Sequence, residues 1–539
     1  LLTQTAAADL DATLADRPTR RDKRLMTLAL AYYLALSLSN ALIREPMHDE
    51  GVTADQVLGS LELGHAGREH PVSEVYRTLD APGRPVSAVV SALQQRGMHP
   101  PAYYLLLNEW VKFAGASRLS LRTPTLLAGG ASIVGMFWLG ALTLPKAVGP
   151  WPALLLAVSP WHVRIATYAR PYSVALALAI WTSVLAAMLA RRSARPRLAL
   201  AGFSVLSLLG LYTTYQHALV VVWQMATVVY VRVQHHRDAG RSAVVSAAVV
   251  GLLVLGFLPW LPTLIRHLAI TRHSSYYFGG VMPLSSWPRA GALLLRKFLF
   301  ADLNAHLAWA CSALILGAVT LAIVWWSLKN RLAIWRGPRP ASRLVLSTLL
   351  LPSMLAGADL LHGSHTLFNS KTSYFLFPVL LLLITGALAA APQAWYRRLA
   401  LGAICLLLAT SGPVRIYRDS RSESDYGRLS RWLKRTDTCG HLLLLDAAPR
   451  GFVYPLLMVL RDHDVRNVRV ALLAAPPRTR EVRTDADSCP AQRLTAVYFA
   501  RPSSDARAPA PRIPADVYSG HPASSVAVFR NLTPAGSFD

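Results

Sequence analysis

Charge is scarce in this chain, and acid is scarcer than base. Of 539 residues, 16% are Asp, Glu, Lys or Arg, where a soluble domain carries about a quarter. With 53% hydrophobic residues, that shortage excludes an ordinary soluble protein. Only 29 acids stand against 55 Lys and Arg, a formal net charge of +26. In a soluble protein such an excess points to nucleic acid. Here many of the bases sit in short gaps between apolar runs, and no aromatic-basic RNA-binding pattern accompanies them. Nucleic acid is therefore excluded as a partner, and the bases read as topology signals. Cysteine is the next shortage. Four are too few for a disulfide scaffold, and they lack metal-ligand spacing. Cys311 and Cys405 lie in apolar runs, while Cys439 and Cys489 share the polar C-terminal region and either pair or stay free. No clear internal repeat is present.

What the chain has instead is a series of long apolar runs, several of them near the ~20 residues that cross a bilayer as a helix. The first, about Leu25 to Ile43, follows a polar tail (1–24) bearing Arg17, Arg20, Arg21, Lys23 and Arg24. It reads as an uncleaved anchor with a cytoplasmic N-terminus. A polar loop, 44–122, comes next. Inside it, Pro100-Pro101 opens a helix running to about Phe113. At 1.5 Å per residue that helix is roughly 20 Å long, too short to span, so it is expected to lie against the outer face.

If it does not cross, further spans fall at roughly 123–143, 149–164, 172–190, 197–212, 215–231, 242–265, 305–327, 344–361, 373–391 and 399–413, about eleven in all. The cytoplasmic gaps of that scheme include Arg191, Arg192, Arg195 and Arg197, and Lys329, Arg331, Arg336, Arg339 and Arg343. They hold roughly twice the Lys and Arg of the outer gaps, as the positive-inside rule requires. The span 149–164 is short and broken by Ser159-Pro160. The fold class expected is an all-α polytopic membrane domain, 25–413, with outer loops 44–122 and 266–304. A small extracytoplasmic α/β domain, 414–539, follows it. Its strands are expected at His441–Leu445, Val468–Leu473, Ala496–Phe499 and Ser525–Phe529, and its helices at Asp425–Lys434 and Val453–Leu460.

Several polar residues collect on the outer face of this scheme. Asp49 and Glu50 emerge where the first span ends, and carboxylates at that level are costly unless they do something. The plainer reading is that Asp49 caps a helix beginning at Glu50. The cations are Arg170, Arg266 and Lys371, with His99 and His217 nearby. Tyr103, Tyr104, Tyr168, Tyr172, Tyr215 and Tyr374 surround them. A base and several fixed cations suit transfer of a group from a phosphate leaving group. The base takes the acceptor hydroxyl's proton, and the cations stabilise the charge that grows on the phosphate. Structural readings stand beside these: Arg122 and Arg266 as interface anchors, His217 as a packing residue, the tyrosines as an interfacial belt, Asp359 and His362 as packing or lipid-entry residues.

The order of these motifs resembles a known family. His48-Asp49-Glu50 after the first span, Gly97-Met98-His99-Pro100-Pro101-Ala102-Tyr103-Tyr104, Leu121-Arg122-Thr123-Pro124, Ala169-Arg170-Pro171-Tyr172, Tyr212-Thr213-Thr214-Tyr215 and Asn369-Ser370-Lys371-Thr372-Ser373-Tyr374 look like the bacterial GT-C glycosyltransferases. These are relatives of the protein O-mannosyltransferases and the lipid A aminoarabinose transferase. The resemblance covers about residues 25–415. It implies a polyprenyl-phosphate-linked sugar as donor, a lipid, polysaccharide or protein acceptor, and catalysis on the extracytoplasmic face of the bacterial inner membrane. It assigns Asp49 as catalytic base with Glu50 beside it, and His99, Arg170 and Lys371 to the donor phosphate, where the outer-face scheme adds Arg266. Tyr103, Tyr104, Tyr168, Tyr172, His217 and Tyr374 are left to contact substrate. Many relatives carry an acid where Gly97 stands and a Glu where Tyr168 stands, so a divalent metal is not indicated and no cofactor is assigned. The rival reading is a transporter or lipid flippase. It would favour internal repeats and ionisable residues at broken helices in mid-membrane.

Overall fold

The computed structural model describes residues 19–59, 70–79, 83–191, 196–235, 239–272, 283–300, 351–360, 366–389, 394–421, 430–431, 433–434, 441–446, 450–466, 468–473, 493–497 and 527–529. They form two units. One comprises Leu1–Asn40, Arg96–Tyr103 and Thr123–Ile416; the other comprises Ala41–Gln95, Tyr104–Arg122 and Tyr417–Asp539.

The first unit is helical because its apolar runs have no other way to satisfy their backbone in lipid. Helix Arg20–Ile43 opens on a reciprocal cap. The Thr19 amide donates to Asp22 Oδ2 at 3.0 Å, and the Asp22 amide to Thr19 Oγ1 at 3.2 Å. Helix Arg118–Thr143 follows, then Tyr172–Ala190, Pro196–Leu211 and His217–His235. The span expected at 149–164 is two short helices, Trp151–Val158 and Pro160–Ala166. Pro160 has no N–H to continue the first, and Ser159 Oγ caps the second by accepting from the His162 amide at 3.3 Å. The span expected at 242–265 is longer: Ala239–Phe257, a 3₁₀ turn Leu258–Trp260 containing Pro259, then Leu261–Arg272. The last described helices are Trp287–Phe300, Leu376–Ala389 and Ala394–Arg421, with 351–360 also helical. The expected span 305–327 lies outside the described residues. Among the described residues, five helices are long and apolar enough to cross a membrane, and three apolar helices are shorter.

Packing inside this unit is close. Phe203, Met225, Val249 and Leu253 share one buried cluster. Gln224 Nε2 ties its helix to Tyr172–Ala190, donating to Thr182 Oγ1 at 2.9 Å and Ser183 Oγ at 2.8 Å. Gly129 is required where Tyr33 crosses it: a Cβ there would lie 2.0 Å from the Tyr33 hydroxyl, which donates to Leu126 O. The outward faces stay apolar, with Leu28, Leu255, Leu399 and Leu406 all more than 60% exposed, as a lipid-facing surface would be.

The second unit is built on a five-stranded sheet in the order β1-β3-β2-β4-β5. The strands are β1 His70–Pro71, β2 His441–Asp446, β3 Val468–Leu473, β4 Arg493–Val497 and β5 Ala527–Phe529. All neighbours run parallel except β1, which pairs antiparallel with β3. Parallel strands need a crossover, and helix Arg450–Asp462 supplies it between β2 and β3. Residues 453–460 of that helix are all buried, and it packs against helix His48–Leu58. Tyr454 donates its hydroxyl proton to Gly59 O. Tyr76 does the same to Val465 O at 2.8 Å, Arg118 pairs with Asp462, and Arg461 Nη2 donates to Ala116 O at 3.2 Å.

The sheet unit therefore differs from the expected 414–539 domain. It takes in 41–95 and 104–122, because the apolar face of Arg450–Asp462 and the free edge of β3 both need cover. The short helix expected near Pro101 is Ala102–Ala114, ended by Gly115 at φ 69°. It leaves Leu106 and Phe113 exposed.

His463 carries a pH dependence. Its Nδ1 faces Ser430 Oγ at 2.7 Å. Burial, and then Arg118, Arg431 and Lys434, hold its pKa below the ordinary 6.5, with Asp462 partly opposing. The unfolded chain then binds the proton more readily, so stability is lost as the pH falls below the unfolded value. The thermal midpoint of the purified protein is expected to drop from about pH 7.5 to about pH 5.5, and His463→Gln to flatten part of that slope. Equal slopes in the two proteins would remove His463 from the effect.

Candidate active site

Backbone and side-chain hydrogen bonds gather several turns at one end of the first unit. Asn40 Nδ2, at the end of the first span, donates to Thr167 Oγ1 at 2.6 Å. The Ala102 amide donates to Tyr212 O at 2.8 Å. Thr214 Oγ1 and the Tyr374 hydroxyl share a hydrogen bond of 2.7 Å. The segment 99–102 and the turns at 167–171, 212–217 and 366–374 therefore share an end. The Lys/Arg bias assigned all of them to one membrane face, and a bilayer between any two would forbid these bonds.

A cationic cluster sits here. Turn residues 167–171 leave helix Pro160–Ala166 and enter Tyr172–Ala190 through Pro171, whose fixed φ suits a helix start. That turn holds Arg170 and Tyr168, both buried. Arg170 Nη2 lies 3.3 Å from His99 Nε2. A guanidinium can only donate, so in this contact His99 Nε2 is the acceptor. The His99 ring meets Tyr172 edge-on at 5.9 Å, Tyr172 stacks with Tyr168 at 6.5 Å, and Lys371 Nζ lies 5.7 Å from the centre of the Tyr168 ring. Lys371, Tyr168, Tyr172, His99 and Arg170 thus form one connected set with two cations, an imidazole and two phenol rings.

Lys371 is placed by its own turn. Asn369 Oδ1 accepts from the Lys371 amide at 2.9 Å, and Asn369 O accepts from the Thr372 and Ser373 amides at 3.1 and 2.9 Å. Asp359 caps the preceding 3₁₀ turn, Thr366–Phe368. Its Oδ1 accepts from the Thr366 amide at 2.9 Å and hydroxyl at 2.6 Å, and its Oδ2 from the Leu367 amide at 2.7 Å. Of the two readings left open for Asp359, packing is the one its contacts support.

The acidic pair belongs to the second unit. The expected cap at Asp49 is not the one found. Helix His48–Leu58 begins two residues earlier with Met47 as N-cap, and Glu50 reaches back to accept from the Met47 amide at 2.9 Å. Asp49 is half-buried in the first turn, where the helix dipole favours a carboxylate. Glu50 is buried and faces Arg122: Nε to Oε1 and Nη2 to Oε2, each 2.8 Å. Arg44 Nη2 is 3.5 Å from the same Oε2. Arg122 also donates to Ala41 O and Arg44 O at 2.7 Å and to Glu45 O at 3.2 Å. It is 1% exposed, so the expected interface anchor is instead a buried hub.

Glu45 was not singled out in the sequence. Its Oε2 is buried without a hydrogen-bond partner among the described residues, and burial pushes its carboxyl pKa up against the pull of Arg118 and Arg431.

Of the other expected site residues, Tyr103, Tyr104, Tyr374 and His217 are each 0% exposed. The His217 ring lies against Gly210, where a Cβ would come within 2.2 Å of it. Arg266 is exposed on Leu261–Arg272, while its neighbour His267 turns inward to Tyr215 at 2.8 Å. Among the described residues, no group of three His, Cys, Asp or Glu is placed to hold a metal ion.

No protein-family model and no curated protein sequence matches this chain. Among solved structures it is similar to the Archaeoglobus fulgidus oligosaccharyltransferase complex with Zn and sulfate. That match has a TM-score of 0.48 and 11% identity over 80% of this chain and 61% of that one. It is similar to ArnT from Cupriavidus metallidurans bound to undecaprenyl phosphate, at 0.48 and 12% over 81% and 84% of the two chains. It is also similar to the mycobacterial arabinofuranosyltransferase AftD, at 0.44 and 18% over 78% and 29%. These neighbours are GT-C glycosyltransferases. The chain spans about three fifths of the length of the archaeal protein.

Asp359→Ala is expected to destabilise the protein by about 1–3 kcal/mol, the usual effect of stranding buried donors. Thermal unfolding in detergent measures it. A wild-type midpoint would show that the turn carrying Lys371 needs no cap.

Proposed function

We propose that this chain is a multi-pass membrane glycosyltransferase that moves a sugar from a polyprenyl-phosphate-linked donor to an acceptor hydroxyl on the extracytoplasmic face. The observation that carries the reading is the Arg170, His99 and Lys371 set, its two cations buried and His99 half-buried, backed by Tyr168 and Tyr172, where several helices of the first unit end. Two cations offer charge-assisted donors to phosphate oxygens, and the phenol rings keep water away. A phosphate leaving group gains negative charge as its bond to the sugar breaks, and fixed cations lower that barrier. The lipid tail of the donor stays among apolar helices. Asp49 is the base that takes the acceptor proton, since Glu50 is committed to Arg122. About eleven spans, an extracytoplasmic sheet unit and a bacterial inner-membrane location complete the proposal. The acceptor is a lipid, polysaccharide or protein hydroxyl.

One observation favours the rival transporter. The helix pair Trp151–Val158 and Pro160–Ala166 is discontinuous, with His162 buried just past the break. The two readings separate in detergent, where no gradient exists. Purified protein is expected to consume a polyprenyl-phosphate sugar from a panel of such donors, with Asp49→Asn folded but inactive. Arg170→Ala is expected to lose about 100-fold in kcat/KM. Near-normal turnover by Asp49→Asn would take the base role from Asp49, and no consumption of any donor would leave the transporter standing.

A further inference from the structure

We propose that Arg122 is a positioning residue for the transfer reaction, holding the segment that carries Asp49 through the carboxylate of Glu50. The inference rests on the glycosyltransferase reading above. A guanidinium has five N–H donors in a rigid plane, and here five hydrogen bonds leave it. Three go to the carbonyls of Ala41, Arg44 and Glu45, the last turn of helix Arg20–Ile43 and the link after it. Helix ends leave such carbonyls without partners, and a cation there also meets the negative end of the dipole. The other two go to the two oxygens of Glu50. Glu50 in turn accepts from the Met47 amide.

Residues 41, 44, 45 and 50 are thereby bound to one planar group, residue 47 is bound to it through Glu50, and Asp49 lies between 47 and 50. The contacts on both sides of the proposed base therefore trace to one side chain 72 or more positions away. Arg122 itself is fixed by its own helix, Arg118–Thr143. Lysine cannot replace this. Its ammonium has three donors on a flexible stem and cannot reach both Glu50 oxygens and three carbonyls in one plane.

A role in stability alone and a role in positioning give different kinetics. The test is turnover of a polyprenyl-phosphate sugar by the full chain in detergent, comparing Arg122→Lys and Glu50→Asp with the wild type. Positioning predicts variants that elute as folded protein and keep the donor KM within about twofold, but lose about 100-fold in kcat, the scale of an ångström-sized misplacement. Returning Glu at position 50, or Arg at 122, restores kcat. If Arg122→Lys does not fold, Glu50→Asp decides by the same split. Wild-type kcat in both variants overturns the proposal. So does failure of both to fold, which would assign the pair to stability alone. A wild-type protein that consumes no donor defeats the glycosyltransferase reading and this inference with it. Wild-type turnover with both variants unaffected defeats only the inference.

Discussion

The N–H groups of Arg122 each find an oxygen, and much of the loop after the first span is arranged so that they can. A buried guanidinium is expensive to desolvate, and a carboxylate buried beside it is expensive too. The pair is tolerated only because geometry and hydrogen bonds are complete on both partners. Replacing such a pair with apolar side chains is often neutral or stabilising, whereas removing one partner costs about 3–5 kcal/mol. Stability alone is thus a weak reason to keep it. What the pair supplies is direction: it tells a polar link where to go after it leaves the membrane helix.

The cationic set in the first unit obeys the same rule in a different way. Each member is held by its own turn before it meets the others. Pro171 and the following helix set Arg170, Asn369 and Asp359 set Lys371, and the Ala102 to Tyr212 bond sets the segment bearing His99. Two cations that repel each other can stay close only if their backbones leave no choice. A turn wound by side-chain acceptors provides that.

Much of the helical unit was legible from sequence, because apolar runs in lipid have few alternatives to helix. The turns were legible as well: Ser159-Pro160 breaks the chain where proline must, and the motifs around Arg170 and Lys371 fall at helix ends. The partners were not. Arg122 reads as an ordinary interface anchor, since nothing local shows that Glu50 waits 72 positions earlier. The burial of His217 and Tyr374, against Gly210 and Thr214, is likewise not visible in their local sequence. The second unit escaped for a similar reason. β1 is two residues long, too short for any alternation pattern, and it is a strand only because β3 pairs with it from about 400 positions away.

That composite sheet has a consequence for biogenesis. A ribosome delivers the early segments, His70–Pro71 and the helix His48–Leu58, long before Arg450–Asp462 and Val468–Leu473 exist. The apolar side chains those segments later share with the crossover helix must wait, exposed, while the intervening membrane helices are inserted. Chains usually complete their N-terminal parts first during synthesis. Here the segment after the first helix is finished last, so truncated nascent products carry a sticky, unfinished surface that quality-control proteases and chaperones can recognise.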